Sequence, residues 1–200
     1  METNQEKMLN DLDSPMEAMA KFKSALSEAA GRSSHAFHLM VLSTIGHDGP
    51  RSRMLVLRGF VEDRFDLIAY TDRRSEKVKE LTANPDCALH FWDAQRKVQI
   101  RIQANAELLV DGAEVQRLWD GISDRGRGDY AAANAPGTPL ISESVGSWHS
   151  NSDEGRKHFC VLSFRARRMD LLQLRREGHM RLCFGFDEEG RVEQAEFVQA

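Results

Sequence analysis

The sequence predicts a mainly β, α+β fold: an antiparallel β-barrel with peripheral helices. About eight short runs rich in aliphatic and aromatic residues follow one another, separated by brief turns. These runs do not alternate with helices, as the strands of a parallel sheet would. A chain of 200 residues is also long enough for one well-cored domain. We therefore expect a single domain over residues 1–200.

Composition and charge narrow the class of protein. The chain has 27 Lys and Arg against 31 Asp and Glu, a net charge of −4, so no overall basic field would attract nucleic acid or anionic lipid. Its 3 cysteines are widely spaced and favour a reducing compartment. No apolar run approaches the roughly 18 residues of a membrane span, and no signal peptide is recognisable. We expect a cytoplasmic protein without nucleic-acid or membrane partners.

The N-terminal part of the chain predicts a helix followed by a strand. Residues 1–14 are polar and are expected to be disordered. Ser14 suits the N-cap of a helix over residues 15–30, which has proline at its first position. The apolar run 36–45 is typical of a strand, and the Gly- and Pro-containing segment 46–50 predicts a turn after it.

The central stretch predicts two strands that lead into a short helix. Runs 53–60 and 65–71 suit an antiparallel pair, and Ser75 would begin and cap a helix over 76–83. Free N–H groups at this helix start, with Lys77 and nearby arginines, would suit a dianionic phosphate. The same charges would equally suit a solvated helix end, because Lys and Arg are mostly exposed.

The remaining chain predicts more strands, one helix and a long loop. The run 97–110 alternates strictly, so Gln99, Arg101 and Gln103 would form a polar face that is wet or holds a polar ligand. Other expected elements are strands at 87–93, 159–166, 169–174, 181–187 and 192–198, a helix at 111–122 with an apolar packing stripe, and a loop or lid at 123–158.

Common catalytic and metal-binding motifs are missing from the sequence. GRGDYA at 126–131 lacks the third glycine of a dinucleotide fingerprint, and no phosphate-loop, GxSxG or HExxH motif occurs. His35 with His38, and Cys87 with His90, have usable metal spacings but no second ligand pair. We expect no metal.

Five ordered motifs resemble those of a known family: RMLVLR, YTDRRSEK, a helix ending in ANP, CALHFW and VQIRIQANAE. At these intervals the chain is similar to the pyridoxamine 5′-phosphate oxidase-like FMN-binding split-barrel proteins, over roughly residues 35–110 and again near the C-terminus. The resemblance implies a split barrel, FMN as cofactor, and a homodimer with the FMN site between its subunits. It also implies an oxidoreductase that moves hydride between a small-molecule substrate and the flavin.

The resemblance also implies site residues, carried over by position. Ser75 and Lys77 would hold the FMN phosphate, Gln99 would face the flavin ring, and Arg58 and His179 would lie on the substrate side. No catalytic acid or base is identified, and His179 could equally be a positioning or surface histidine. The full set of implied FMN contacts is Arg53, Met54, Leu55, Val56, Leu57, Arg58, Tyr70, Thr71, Ser75, Lys77, Gln99 and Arg181.

Three departures from the family pattern bear on function. Glu76 replaces an arginine that pairs with phosphate, so Arg73 or Arg74 is expected to substitute. Leu172 falls where the family has a tryptophan beside the flavin, and Glu177 would repel a substrate phosphate. Vitamin B6 oxidation is therefore not expected. Two alternatives stay open: a non-catalytic flavin- or haem-type binding protein, and a nucleic-acid-binding barrel, which the net charge disfavours.

Overall fold

The computed structural model describes residues 14–139 and 152–200, so the rest of the predicted disordered segment and the centre of the predicted 123–158 loop lie outside it. The helices are α1 (Pro15–Gly31), α2 (Glu76–Ala83), α3 (Ala113–Asp120), α4 (Asp124–Gly128) and α5 (Ser152–His158). The strands are β1 (Leu39–Gly46), β2 (Gly49–Val56), β3 (Gly59–Val61), β4 (Asp66–Asp72), β5 (Asp86–Asp93), β6 (Val98–Leu109), β7 (Phe159–Gln173), β8 (Met180–Phe186) and β9 (Val192–Val198). None of the described helices is long and apolar enough to cross a membrane.

The described strands form one antiparallel sheet that divides along β7. Its order is β2-β1-β5-β6-β7-β4-β3, and β8 joins β7 while β9 joins β8. Residues 159–165 of β7 pair with β4, whereas residues 168–173 pair with β8. Pairing does not run continuously around the sheet. This is the mainly β split barrel that the sequence predicted.

The main hydrophobic core lies between α1 and one face of the sheet. Phe22 of α1 is fully buried, with its ring centroid 5.8 Å from that of Phe37 and 6.2 Å from that of Phe65. A fully buried Phe side chain contributes about 1.5–3 kcal/mol of hydrophobic free energy. The predicted cap of α1 is confirmed, because Ser14 Oγ accepts a hydrogen bond from the Glu17 N–H at 3.3 Å.

A smaller core packs α3 against β7. Val115 and Trp119 of α3 are buried with Phe159 and Val161, so the predicted packing stripe of this helix is confirmed. The ring centroids of Trp119 and Phe159 lie 5.2 Å apart. These contacts fix α3 and the chain that follows it against the sheet.

Two of the predicted strands are one strand in the structure. Runs 159–166 and 169–174 were expected to be separate, but β7 continues through both. Arg167 and Arg168 between the runs are exposed and polar, which resembles a turn in the sequence. The strand continues because β6 pairs along it, with a register shift at Gln103/Ala104 that accommodates the bend.

Two predicted connections are also shorter than expected. Only His47 and Asp48 separate β1 from β2, because Pro50 of the predicted 46–50 turn already pairs with Ile45. Proline is tolerated there because β2 is an edge strand. The predicted 123–158 loop contains α4 and α5 in its described parts, and Ser123 Oγ caps α4 by accepting from the Gly126 N–H at 3.3 Å.

Candidate functional site

The end of β4 and the start of α2 bring three predicted FMN residues together. Lys77 Nζ donates to Thr71 Oγ1 and to Ser75 Oγ, each at 3.2 Å. The two hydroxyl oxygens lie 3.4 Å apart. We call Thr71, Ser75 and Lys77 the α2 corner. One ammonium and two hydroxyl groups therefore converge at the start of a helix.

The α2 corner is electrostatically suited to an anion. Ser75 holds the N-cap position, but its hydroxyl does not cap the helix, so the predicted side-chain cap is wrong. The Ser75 hydroxyl therefore stays available to a ligand at the positive end of the helix dipole, where Glu76 is the acidic residue of the first turn. Burial lowers the pKa of the half-buried Lys77 ammonium, and the Arg53 charge lowers it further. The charges of Asp72 and Glu80 raise this pKa but do not outweigh the other two effects. A bound anion would offset the cost of keeping Lys77 charged.

Arg53 lies near this corner but is already paired. Its Nη2 donates to Glu80 Oε2 at 2.6 Å, and its Nη1 donates to Thr44 Oγ1. The Thr44 hydroxyl donates in turn to Glu80 Oε2 at 2.5 Å. The Glu80 side chain is only 7% exposed. Sequence reasoning missed Thr44 and Glu80, because their contacts with Arg53 join residues 9 and 27 positions apart on different elements.

Glu80 is ionised at neutral pH despite its burial. Burial alone would raise the pKa of its carboxyl group. Hydrogen bonds from Thr44 and Arg53, together with the charges of Arg53 and Arg51, outweigh burial and hold this pKa below its ordinary value. The positive charge of Arg53 is thus offset by Glu80, which leaves Lys77 as the principal cation of the corner.

Arg73 and Arg74 were the two candidates to replace the family arginine that is Glu76 here, and Arg74 already has other partners. Arg74 Nη2 lies 2.7 Å from Asp72 Oδ2 and 2.9 Å from the Ala132 carbonyl oxygen, so it serves the structure of the loop. Arg73 is exposed and remains a candidate. Glu76 is exposed and forms an ion pair with Lys79 at 2.7 Å.

Arg58 and Tyr70 form a second group on the other side of β4. Thr71 faces the main core and Tyr70 faces α3, because successive strand residues point to opposite faces. The Arg58 guanidinium carbon lies 6.0 Å from the centroid of the Tyr70 ring. Both residues line a cavity of about 450 Å³, together with the chain around Tyr130. Burial raises the pKa of the Tyr70 and Tyr130 hydroxyl groups, so both are protonated donors at neutral pH.

A third group lies on the outer face of the sheet. Gln99, Leu172 and Arg181 occupy one row across β6, β7 and β8, which places Leu172 beside Gln99 as the motifs implied. Arg181 donates to Asp170 Oδ2 through Nε at 3.0 Å and Nη2 at 2.6 Å, so its guanidinium is held in place. His179 is exposed, and its Nδ1 accepts a hydrogen bond from the Arg175 N–H at 3.2 Å across a turn.

The strand register places Arg53 and Gln99 on opposite faces of the sheet. Arg53 pairs with Leu42, which pairs with Leu89, which pairs with Ile102, so these four side chains share the inner face. Gln99 is three residues from Ile102 on β6 and points outward. Within a single chain, the row formed by Gln99, Leu172 and Arg181 therefore lies on the opposite face of the sheet from Arg53 and away from the α2 corner.

The other predicted contacts follow this alternation. Leu55 and Leu57 are buried on the inner face with Arg53, whereas Met54 is exposed and Val56 half-buried on the outer face. Of these residues, only Met54 has an exposed side chain that could contact a ligand bound on β2. The other three could contact such a ligand only through their backbone groups.

Comparisons with known proteins agree with this architecture. Residues 19–110 match the family model described as "Pyridoxamine 5'-phosphate oxidase, FMN-binding domain". A pyridoxine/pyridoxamine 5′-phosphate oxidase of Thermosynechococcus vestitus is 35% identical over 99 residues, which are 50% of this chain and 46% of that protein. This chain thus spans about half the length of the curated relatives that it matches.

Solved structures match over nearly the whole chain. A pyridoxamine 5′-phosphate oxidase-related, FMN-binding protein of Nostoc punctiforme has a TM-score of 0.72 and 25% identity, covering 90% of this chain and 97% of its own. PhzG of Burkholderia lata shares the fold, with a TM-score of 0.70 and 18% identity. The match covers 97% of this chain and 96% of PhzG. The resemblance indicated by the five motifs is confirmed. Residues 19–110 of this chain thus match the FMN-binding domain of the pyridoxamine 5′-phosphate oxidase family, and FMN is the cofactor of that domain.

Proposed function

We propose that this protein is an FMN-dependent oxidoreductase that holds the cofactor phosphate at the α2 corner and acts on a small molecule. The observation that carries this proposal is the convergence of Lys77, Ser75 and Thr71 at an uncapped helix start. FMN supplies the hydride chemistry when it is bound. The chain contributes the phosphate contacts, the orientation of the ring and the exclusion of water.

We also propose a homodimer in which the outer face of one subunit meets the flavin held by the other. The opposite faces of Arg53 and Gln99 support it, because the ring contacts must then come from a second copy. Large apolar side chains on this outer face are also uncovered: Leu39 is 49%, Met54 55% and Trp92 45% exposed. Exposed apolar groups close together often mark an interface. The mass of the purified protein in light scattering should be twice that of one chain.

The substrate is proposed to differ from that of a vitamin B6 oxidase. Glu177 is exposed in the turn before β8, where it would repel a substrate phosphate. Pyridoxamine 5′-phosphate is thus expected to react poorly. A cytoplasmic location is supported by the three cysteines, all of which are free thiols.

The test of the proposed function is a visible absorption spectrum of the purified protein, followed by titration of the flavin-free protein with FMN. One FMN per subunit, with reduction by a candidate donor and reoxidation by an acceptor, is the expected result. Strong flavin retention without reduction by any donor would favour the non-catalytic binding protein. A protein that binds no FMN would overturn the proposal.

Replacing Gln99 by Leu is expected to weaken FMN binding modestly. One neutral hydrogen bond to the flavin ring would be lost, which contributes about 0.5–1.5 kcal/mol, or roughly 2- to 12-fold in affinity. Flavin fluorescence titration measures this change. Gln103→Leu, on the same face of β6, is the matched control and should bind FMN normally. Equal affinities in the two variants would refute the role of Gln99.

A further inference from the structure

The cavity beside Arg58 is separate from the α2 corner. It measures about 450 Å³ and lies between β4 and the segment that contains α3 and α4. Arg58, Tyr70 and Tyr130 form one side of it, because both tyrosine rings pack on Phe159, and Leu118 and Ile122 form the other. The three residues of the α2 corner do not line it. The cavity therefore adjoins the flavin residues through Tyr70 without being part of the phosphate site.

The charges around this cavity suit a ligand with one negative charge. Arg58 forms no ion pair within the described ranges, whereas Arg117, the other lining arginine, is paired with Glu114 at 2.5 Å. Asp129 also lines the cavity, is exposed and forms no ion pair with any described residue. A single carboxylate would meet the guanidinium of Arg58. A second negative charge would face Asp129 and be repelled.

The aromatic side supplies flat surfaces and free donors. The ring centroids of Tyr70 and Tyr130 lie 5.1 Å and 5.2 Å from the ring centroid of Phe159. Packing on Phe159 therefore holds both tyrosine rings in place. Neither phenol hydroxyl has a hydrogen-bond partner in the part of the chain that the structure describes. A planar ligand could therefore pack against the rings while its polar group accepts hydrogen bonds from them.

The opposite side disfavours a phosphate ester. Leu118 and Ile122 are half-buried aliphatic residues, and Gly126 beside them has no side chain. Apart from Arg117, which pairs with Glu114, only the Ser123 hydroxyl offers a side-chain donor to phosphate oxygens on this side. Recognition of a phosphate dianion usually uses several charged or backbone donors, whereas this cavity offers one unpaired guanidinium.

We propose that this cavity binds the substrate and selects a planar conjugated monoanion, an aromatic carboxylate, over a phosphate ester. Arg58 holds the carboxylate, and the ring packs between the tyrosines and the aliphatic pair. The name substrate rests on the proposed function, but the binding selectivity does not.

Isothermal titration calorimetry on the full chain, both flavin-free and saturated with FMN, tests this selectivity with three matched probes. These are 2-naphthoate, 2-naphthyl phosphate and neutral 2-naphthamide. We expect 2-naphthoate to bind both forms at least about tenfold more tightly than 2-naphthamide, as one charge-assisted contact provides. It should also bind more tightly than 2-naphthyl phosphate, because Asp129 repels the second charge of the phosphate. Absent 2-naphthoate binding, tighter binding of the phosphate, or competition between 2-naphthoate and FMN would each overturn the inference.

Variants of the lining residues give an independent test. Arg58→Gln should lower 2-naphthoate affinity at least about tenfold but change 2-naphthamide affinity less than about twofold. Arg125→Gln, an exposed arginine of α4 outside the cavity, is the control and should bind like the parent. Ile122→Arg adds a cation and should raise 2-naphthyl phosphate affinity at least about tenfold. Unchanged 2-naphthoate affinity in Arg58→Gln, or no gain in Ile122→Arg, contradicts the assignment.

The two proposals can fail separately. If FMN binds but the naphthoate preference is missing, the cavity inference falls and the proposed function stands. If the naphthoate preference depends on Arg58 but no FMN binds, the proposed function falls while the binding selectivity stands.

Discussion

Replacing Lys77 by Met is expected to weaken FMN binding about 10- to 100-fold, because a charge-assisted hydrogen bond contributes about 1.5–3 kcal/mol. Lys77 bonds both hydroxyls of the α2 corner, and Arg53 is already neutralised by Glu80. The ammonium is therefore the main charge available to the phosphate. Titration of the flavin-free variant with FMN, followed by flavin fluorescence, measures the loss.

The matched control is Lys79→Met on the same helix. Lys79 is exposed and pairs with Glu76 at 2.7 Å, outside the corner. Its FMN affinity should stay close to that of the parent. Riboflavin, which lacks the phosphate, should bind the Lys77 variant and the parent equally. A similar loss for FMN and riboflavin, or the same FMN affinity in both lysine variants, would contradict the phosphate assignment.

Replacing Glu80 by Leu is expected to lower the free energy of unfolding by about 2–4 kcal/mol at pH 7, since removing one partner of a buried ion pair leaves the other charge unpaired. Arg53 and Thr44 would both lose their acceptor. The Arg53 side chain is 21% exposed, so water can recover part of its hydration and keep the loss below that of a fully buried pair. Urea unfolding followed by circular dichroism measures the change.

The pH dependence of this effect has a definite sign. The pKa of Glu80 is lower in the folded protein than its ordinary value of 4.5. Its ionised form therefore stabilises the protein above pH 4.5, and this stabilisation is lost as the pH falls through the lower folded pKa. The difference between parent and Glu80→Leu should shrink below pH 4.5. A constant difference from pH 7 down through this range would refute the ionic role.

Glu28→Leu on α1 is the control for this experiment. Glu28 also pairs with an arginine, Arg32, at 2.6 Å, but both side chains are more than half exposed. Exposed pairs contribute little because water and salt screen them. If Glu28→Leu destabilises the protein as much as Glu80→Leu, burial of the Glu80 pair is not the cause.

The sequence alone was sufficient for the α2 corner, because its parts are local. Thr71 and Lys77 are six positions apart, so a strand end and a helix start bring them together whatever the rest of the fold. The alternation of a strand over residues 53–60 is likewise enough to place Arg53 on the same face as Leu55 and Leu57. Ordered motifs over one part of the chain were enough to indicate the family and its cofactor.

Only the tertiary structure decided what surrounds these residues. Arg53 meets Glu80 across 27 positions because α2 packs on β1, and Tyr130 reaches the Arg58 cavity because α3 packs on β7. Periodicity shows which face a side chain occupies, but it does not show which strand or helix lies opposite. That choice depends on the strand order and on continuous pairing, which also joined two predicted strands into β7. The separation of Arg53 and Gln99 onto opposite faces follows from the same pairing.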